Sequence, residues 1–327
     1  MYEFTEDIEL QTLWCNSYHT RKNITDIPPS GSLIVELENE LGGCLPVSYI
    51  AFMNHHSGGT PHKSAFPKNE ATSWAESHAA INSFLSIGRV NCDSLCSEHG
   101  GRLLIERWYY PDIGVYICEC PSAGHDMIVL DYKTCGPQSE PQVVHSDRKN
   151  NYRITLLAKD VEAFARGLVD SKVLNTDEED YQTDLQKVTQ GRFSELLAPL
   201  VNSFSPFPRI GEAIRATALK LLEEKRYFAL HDDPLSYLLY DIQFWVYQHH
   251  HRIKCRKDYL DIHGAMIALG GSGFSTKGYT PGFVEDWFDN RTEERHLIKN
   301  TDGLILSEAH RENVIKQLRT LLKKGSS

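Results

Sequence analysis

One group of side chains with the chemistry for acid–base catalysis or metal binding falls on neighbouring predicted strands: His125, Asp126, Asp131 and His145. Imidazole and carboxylate groups that are held close together can transfer protons or bind a metal ion. The spacing does not require this, because Asp126 follows Gly124 and His125 at a tight turn, where the backbone itself favours Asp and Gly. The turn interpretation is favoured. A metal-dependent hydrolase that uses these four residues is the third functional hypothesis for the chain.

A second group with metal-ligating chemistry lies in the C-terminal half: His249, His250, His251, Cys255 and His263. His251 and Cys255 are four residues apart, so on one continuous helix they would share a face. A zinc site needs three or four converging ligands, and histidines at a helix end more often lie at the surface near the helix dipole. A surface role is favoured, and no metal or other cofactor is expected.

A glycine-rich segment at residues 270–278 is the only stretch that invites a phosphate-loop interpretation, in which backbone amides surround an anion. Its order is wrong for that role, because Gly278 follows Lys277 where such loops have Ser or Thr. We interpret the segment as a structured turn. The sequence also lacks a nucleophile elbow, a metalloprotease helix motif and a dinucleotide fingerprint, and we expect no enzymatic activity.

The strands that would position the first group are predicted from four runs rich in Val, Ile and Tyr, at residues 114–120, 125–132, 141–147 and 152–158. Clusters of Gly, Pro, Ser and Asn separate them, which predicts an antiparallel meander. Strand alternation predicts that Cys118 and Cys120 share one face, with Ile117 and Glu119 on the other. The cysteine spacings match no zinc or thioredoxin pattern, and reduced thiols are expected.

Helices are predicted before and after this meander along the chain. Ser30 is a helix-capping residue ahead of apolar positions at helical spacing, and Gly42-Gly43 ends that helix. Pro46 suits the first turn of a second helix that runs to residues 55–56, and Asp160 caps a third. Residues 80–87 are predicted to be extended, whereas residues 103–108 fit a strand or a helix end equally.

These elements predict an α+β first domain over residues 1–172, with helices packed on an antiparallel-rich sheet. An acidic connector at residues 175–180 follows it. Residues 173–327 are predicted to form a mainly α-helical second domain. Its helices are expected at residues 181–188, 210–228, 235–254, 259–269 and 307–322.

The acidic charge of the chain is concentrated in its first half. Residues 1–170 contain 22 acidic and 13 basic side chains, a formal charge of −9, whereas the remainder contains 22 and 21, a charge of −1. An acidic domain repels nucleic-acid phosphates and attracts basic proteins, so a protein partner is expected and direct nucleic-acid binding is not. No apolar run approaches the ~18 residues of a membrane span, and the acidic start lacks a secretion signal, so a cytoplasmic location is expected.

Several short motifs in this first half resemble the SUKH superfamily. Leu41-Gly42, Leu45-Pro46, Tyr49 and Gly58-Gly59 resemble its signature helix pair. The same family order continues through Ile113-Gly114, Gly124-His125-Asp126, Leu130-Asp131-Tyr132, residues 141–144 and the helix around Phe164. The resemblance covers about residues 1–170. The sequence departs from the pattern at His125, which separates a Gly and an Asp that are adjacent in many relatives.

The resemblance implies a non-enzymatic binding domain. Bacterial relatives are immunity proteins that neutralise toxins, often nucleases, and fungal relatives regulate cell-wall synthesis. The leading hypothesis is therefore a cytoplasmic immunity protein that binds a basic toxin domain, and the alternative is an intracellular regulatory scaffold. The candidate partner-binding residues are three glutamates on the outer side of the first helix, Glu36, Glu38 and Glu40, and two possible aromatic anchors, Trp74 and Trp108. Either tryptophan fits the core equally well.

Overall fold

The chain divides into two compact units, Met1–Asn175 and Thr176–Ser327. The structure, a computed structural model, describes residues 10–72, 75–91, 93–97, 100–122, 124–174, 178–266, 281–301 and 303–324. The first unit combines a sheet with helices and the second is mainly helical, which confirms the predicted fold class. Trp74 and the whole glycine-rich segment at residues 270–278 lie outside the described residues.

The first unit contains five α-helices and seven strands among its described residues. The helices are α1 (Leu10–Leu13), α2 (Gly31–Leu41), α3 (Val47–His55), α4 (Gly101–Trp108) and α5 (Val161–Gly167). The strands are β1 (Ala65–Pro67), β2 (His78–Ala80), β3 (Ser83–Phe84), β4 (Gly114–Glu119), β5 (Asp126–Asp131), β6 (Gln142–Asp147) and β7 (Arg153–Ala158).

The sheet of the first unit is the predicted meander with one short strand added. Its order is β3-β4-β5-β6-β7 and every neighbouring pair is antiparallel, while β1 and β2 form a separate two-stranded ribbon. The region predicted to be extended at residues 80–87 contains only the end of β2 and the two residues of β3.

Capping residues set the helix ends as the sequence predicts. The Ser30 hydroxyl accepts a hydrogen bond from the Leu33 amide at 3.2 Å, and Gly42 ends α2 in the left-handed conformation (φ 75°), which glycine adopts without steric cost. The Asp160 carboxylate accepts a hydrogen bond from the Ala163 amide at 2.7 Å and begins α5. These local signals fix the helices that cover the sheet.

Each face of the sheet packs against its own helices. The larger core joins α2, α3 and α5 to one face, with Leu37, Phe52 and Phe164 fully buried. The smaller core lies on the other face beneath α4, around Leu104 and Val129. The region that fitted a strand or a helix end equally is therefore helix α4, and its apolar side chains cover this second face.

The second unit has helices α6 (Glu178–Gln190), α7 (Leu197–Asn202), α8 (Ile210–Lys225), α9 (Pro234–His250), α10 (Arg256–Met266), α11 (Pro281–Glu293) and α12 (Glu308–Lys324). The five predicted helices did not include α7 or α11, and within the described residues the unit also contains a hairpin of β8 (Leu297–Asn300) and β9 (Gly303–Leu306). The long helix α9 is central to the packing, and all its residues from Ser236 to Val246 are buried. The aromatic residues along α9 are mostly core.

Candidate protein-binding surface

The exposed side of α2 carries two of the three predicted glutamates. Glu36 and Glu40 are one helical turn apart and both are exposed. The guanidinium of Arg89 donates a 2.5 Å hydrogen bond to a carboxylate oxygen of Glu40. This bond, together with the nearby charges of Glu40 and Glu36, raises the pKa of Arg89. Two carboxylates therefore lie near one arginine, and the local charge is negative.

Glu38 has a structural role instead. Its carboxylate accepts a hydrogen bond from the Leu45 amide at 2.8 Å, which fixes the turn between α2 and α3. Two residues correspond to about 200° of rotation around an α-helix, so Glu38 points away from Glu36 and Glu40. The predicted face of three glutamates is therefore reduced to two.

Two exposed apolar residues lie on segments beside the acidic pair. Ile27 is 81% exposed just ahead of α2, and Val90 is 89% exposed next to Arg89. Their segments run side by side, because the Asn91 side chain donates a 2.9 Å hydrogen bond to the Thr25 carbonyl. We refer to Ile27, Glu36, Glu40, Arg89 and Val90 as the α2 face. Sequence periodicity did not indicate Ile27 or Val90, since both lie in irregular segments.

Trp108 lies on the other side of the sheet, at the end of α4, and is half-buried. Its carbonyl accepts a 2.5 Å hydrogen bond from the Tyr152 hydroxyl, and its ring fills the space beside Gly124. A Cβ at residue 124 would lie 1.8 Å from that ring. Trp108 therefore packs the β4–β5 turn, while the next residue, Tyr109, is 75% exposed in a left-handed conformation (φ 59°). Trp108 is not part of the α2 face.

The predicted acid–base group does not form a single site. Nε2 of His145 donates a hydrogen bond to Oδ2 of Asp126 at 3.0 Å, and both side chains are buried. Asp131 lies at the opposite end of β5, where its carboxylate accepts a hydrogen bond from the Lys133 amide. His125 is half-buried in the turn before β5. The hypothesis of a hydrolase that uses all four residues is therefore wrong.

Cys120 lies beside Asp126 and His145, where the prediction had His125 and Asp131. One potential ligand atom from each of Cys120, Asp126 and His145 lies within 4.8 Å of the others. A register shift in β4 between Tyr116 and Cys118 breaks the simple alternation, so Ile117 and Cys118 face the same core. The predicted opposition of Ile117 to the two cysteines is wrong for this reason.

A cysteine, a histidine and an aspartate in contact also resemble the arrangement for nucleophilic catalysis. Cys120 is only 4% exposed, and burial, followed by the charge of Asp126, raises the pKa of its thiol well above the usual value. A buried, protonated thiol is a poor nucleophile and has no access to a substrate. The arrangement does not support catalysis.

The histidine group of the second unit is also dispersed. Helix α9 ends at His250 and α10 begins at Arg256, so His251 and Cys255 do not share a helix face as predicted. The Cys255 thiol is 3.3 Å from a carboxylate oxygen of Asp258. His263 is buried between aromatic rings, and burial lowers its pKa to about 3. These residues form no common metal site.

The fold of the first unit is thus an antiparallel meander with helices on both faces and an acidic patch on α2. This architecture agrees with the result of comparing the sequence with models of known protein families. The model of the SMI1/KNR4 family (SUKH-1) matches residues 28–167. Residues 28–167 are therefore a domain of the SUKH superfamily, as the resemblance indicated.

Other comparisons add no relatives. Neither the comparison with curated proteins nor that with solved structures gives a match. Among the described residues, no helix has both the length and the apolar character needed to cross a membrane.

Proposed function

We propose that the chain is a cytoplasmic immunity protein that binds a basic toxin domain through the α2 face and neutralises it without catalysis. The observation that carries the proposal is that a SUKH domain exposes Glu36 and Glu40 on α2, Ile27 just ahead of that helix, and Val90 next to the arginine that contacts Glu40. Protein interfaces combine apolar anchors with charged groups that select the partner. The α2 face has both.

Charge complementarity favours a toxin that acts on nucleic acid. A nuclease holds the phosphate backbone through Lys and Arg side chains, so its active surface is basic. A domain with a formal charge of −9 over residues 1–170 attracts such a surface from a distance, and the α2 face then covers it. Steric and electrostatic blockage inhibits the toxin without any reaction by the immunity protein.

A regulatory scaffold is the second candidate, and the second unit favours it. Helix α12 exposes Lys316, Arg319 and Lys323 along one stripe, opposite in sign to the α2 face. Two units with surfaces of opposite charge suit the recruitment of two different proteins. In that function the acidic unit binds one cellular protein and the helical unit binds another.

Co-purification from the native host distinguishes these functions. We would compare the wild-type chain with Glu36→Lys/Glu40→Lys and with the control Glu76→Lys/Glu106→Lys. All four glutamates are exposed, and each double variant also breaks one surface ion pair, Glu40 with Arg89 or Glu106 with Arg102. Each raises the formal charge by the same amount, from −10 to −6, since every Glu→Lys change adds two.

The proposal expects a stoichiometric basic toxin domain, identified by mass spectrometry, with wild type and control and at least about tenfold less with the α2-face variant. Equal recovery with both double variants would contradict the assignment of the α2 face. A host enzyme or a cell-wall factor in place of a toxin would support the scaffold.

A further inference from the structure

The interior of the first unit contains three potential metal ligands that come from different parts of the sheet. Cys120 directly follows β4, Asp126 begins β5 and His145 lies within β6. The bulge in β4 turns the cysteine towards the same core face as the other two. Their exposed fractions are 4%, 1% and 0%, so bulk solvent does not reach any of them.

Two atoms of this cluster lack a hydrogen-bond partner. Oδ1 of Asp126 and Nδ1 of His145 are buried and unpaired among the described residues. Among the described side chains, only His145 forms a hydrogen bond with the other oxygen, Oδ2. Native structures seldom leave a buried carboxylate oxygen unpaired, and such an atom calls for an explanation, one of which is an ion.

We propose that Cys120, Asp126 and His145 bind one divalent metal ion, with zinc preferred. Ligand atoms around a tetrahedral zinc are about 3.3–3.6 Å apart, given Zn–N and Zn–O distances of about 2.0–2.1 Å and Zn–S of about 2.3 Å. The imidazole nitrogen and carboxylate oxygen are already 3.0 Å apart, and all three ligand atoms lie within 4.8 Å of one another. Small side-chain rotations are sufficient to admit the ion.

The donor set selects the metal. A thiolate, an imidazole and a carboxylate together suit Zn²⁺, whereas Mg²⁺ and Ca²⁺ prefer oxygen ligands only. Binding releases the thiol proton of Cys120, and the positive ion compensates the buried carboxylate. Three protein ligands leave the fourth position of a tetrahedral ion to a buried water molecule. Because the ligands are at most 4% exposed, a substrate would not reach the ion, and the metal would have a structural role in which it fastens the β4–β5 turn to β6.

Titration of the untagged, full-length chain with Co²⁺ tests the proposal, because a Co²⁺–thiolate bond gives a characteristic near-ultraviolet charge-transfer absorption. We expect one Co²⁺ per chain with this absorption, its displacement by one equivalent of Zn²⁺, and no competition from Mg²⁺. A wild-type chain that shows no charge-transfer absorption overturns the proposal without any variant.

Paired cysteine variants identify the ligand. Cys118 is a buried free cysteine two residues away that faces the same core but is outside the cluster, so Cys118→Ser is the matched control for Cys120→Ser. We expect Cys118→Ser to retain the absorption and Cys120→Ser to lose it, with Co²⁺ binding at least about tenfold weaker. Absorption that persists in Cys120→Ser places the thiolate elsewhere, for example at exposed Cys255, and overturns the proposal.

Discussion

Among the described residues, each unit contains a buried Asp–His pair, and the contrast between the two pairs is informative. Asp126 with His145 in the first unit and Asp241 with His310 in the second are both joined at 3.0 Å. The first carboxylate has an unpaired oxygen. The second has no such oxygen, because Trp287 and Arg291 also donate to it. Nδ1 of the histidine is unpaired in both pairs, so the difference lies in the carboxylate, which is incompletely paired in the first unit and completely paired in the second.

The complete network comes from three helices. Asp241 lies on α9, Trp287 and Arg291 on α11, and His310 on α12. Burial raises the pKa of Asp241, but the hydrogen bonds and charges of His310 and Arg291 outweigh it, and the net pKa is lowered. The carboxylate is therefore charged at neutral pH and ties the helices together. The Asp241 carboxylate needs no additional ligand.

The largest expected effect comes from breaking the complete network. Asp241→Asn leaves the guanidinium of Arg291, whose side chain is 13% exposed, without its buried counterion. We expect the free energy of unfolding to fall by about 3–5 kcal/mol, measured by urea denaturation. The surface control Glu212→Gln, which breaks the exposed and solvent-screened pair with Arg209, should leave the free energy of unfolding nearly unchanged. A loss for Asp241→Asn as small as the control's would show that the network is not structural.

Zinc should raise the free energy of unfolding only through the site of Cys120, Asp126 and His145. At a free concentration of 100 times its Kd, an ion that binds the folded state alone adds about 2.7 kcal/mol. We expect this gain in the wild type and in Asp241→Asn, and none in Cys120→Ser, by thermal or urea unfolding. An equal gain in Cys120→Ser would show that the stabilisation by zinc does not depend on Cys120 and would contradict the proposed site.

Acid should act on the second unit through a histidine outside its Asp–His pair. Burial lowers the pKa of His263 to about 3, so the unfolded chain, with a His pKa of about 6.5, takes up the proton first. Stability is therefore lost as pH falls below about 6.5, and between pH 7 and pH 5 this residue accounts for about 2 kcal/mol. His263→Phe should reduce the pH dependence by that amount. Identical pH slopes for the wild type and the variant would refute this.

The smallest effect is expected when the metal-free site is altered. In the presence of a chelator, Asp126→Asn removes a carboxylate that is bonded through only one of its oxygens, so we expect a loss of about 1–2 kcal/mol in urea denaturation. This is less than the expected cost of Asp241→Asn. The comparison of the two pairs fails if the two substitutions are equally costly without metal.

Elements with strong local signals were predicted from the sequence. Ser30 and Gly42 bound α2 as expected, and all four predicted strands of the meander occur. Side-chain placement was predicted less well, because it depends on geometry that periodicity does not encode. The bulge in β4 turned Cys120 towards Asp126, and the end of α9 at His250 separated His251 from Cys255.

The candidate surface was predicted in part for a similar reason. The helical pattern identified the acidic residues of α2, yet a tertiary contact with the Leu45 amide recruits Glu38 into the fold. Ile27 and Val90 lie in irregular segments that only the folded chain brings together. The β8–β9 hairpin was likewise missed, because its strands are four residues each and lie between helices.

The most direct test of the proposed function is the association rate of the chain with its captured toxin domain as a function of salt. If the acidic α2 face guides the encounter, the rate constant should fall at least about tenfold between about 20 mM and 500 mM NaCl. At low salt, Glu36→Lys/Glu40→Lys should associate more slowly than Glu76→Lys/Glu106→Lys. A rate constant that is independent of salt and equal in both variants would contradict recognition of a basic partner by this face.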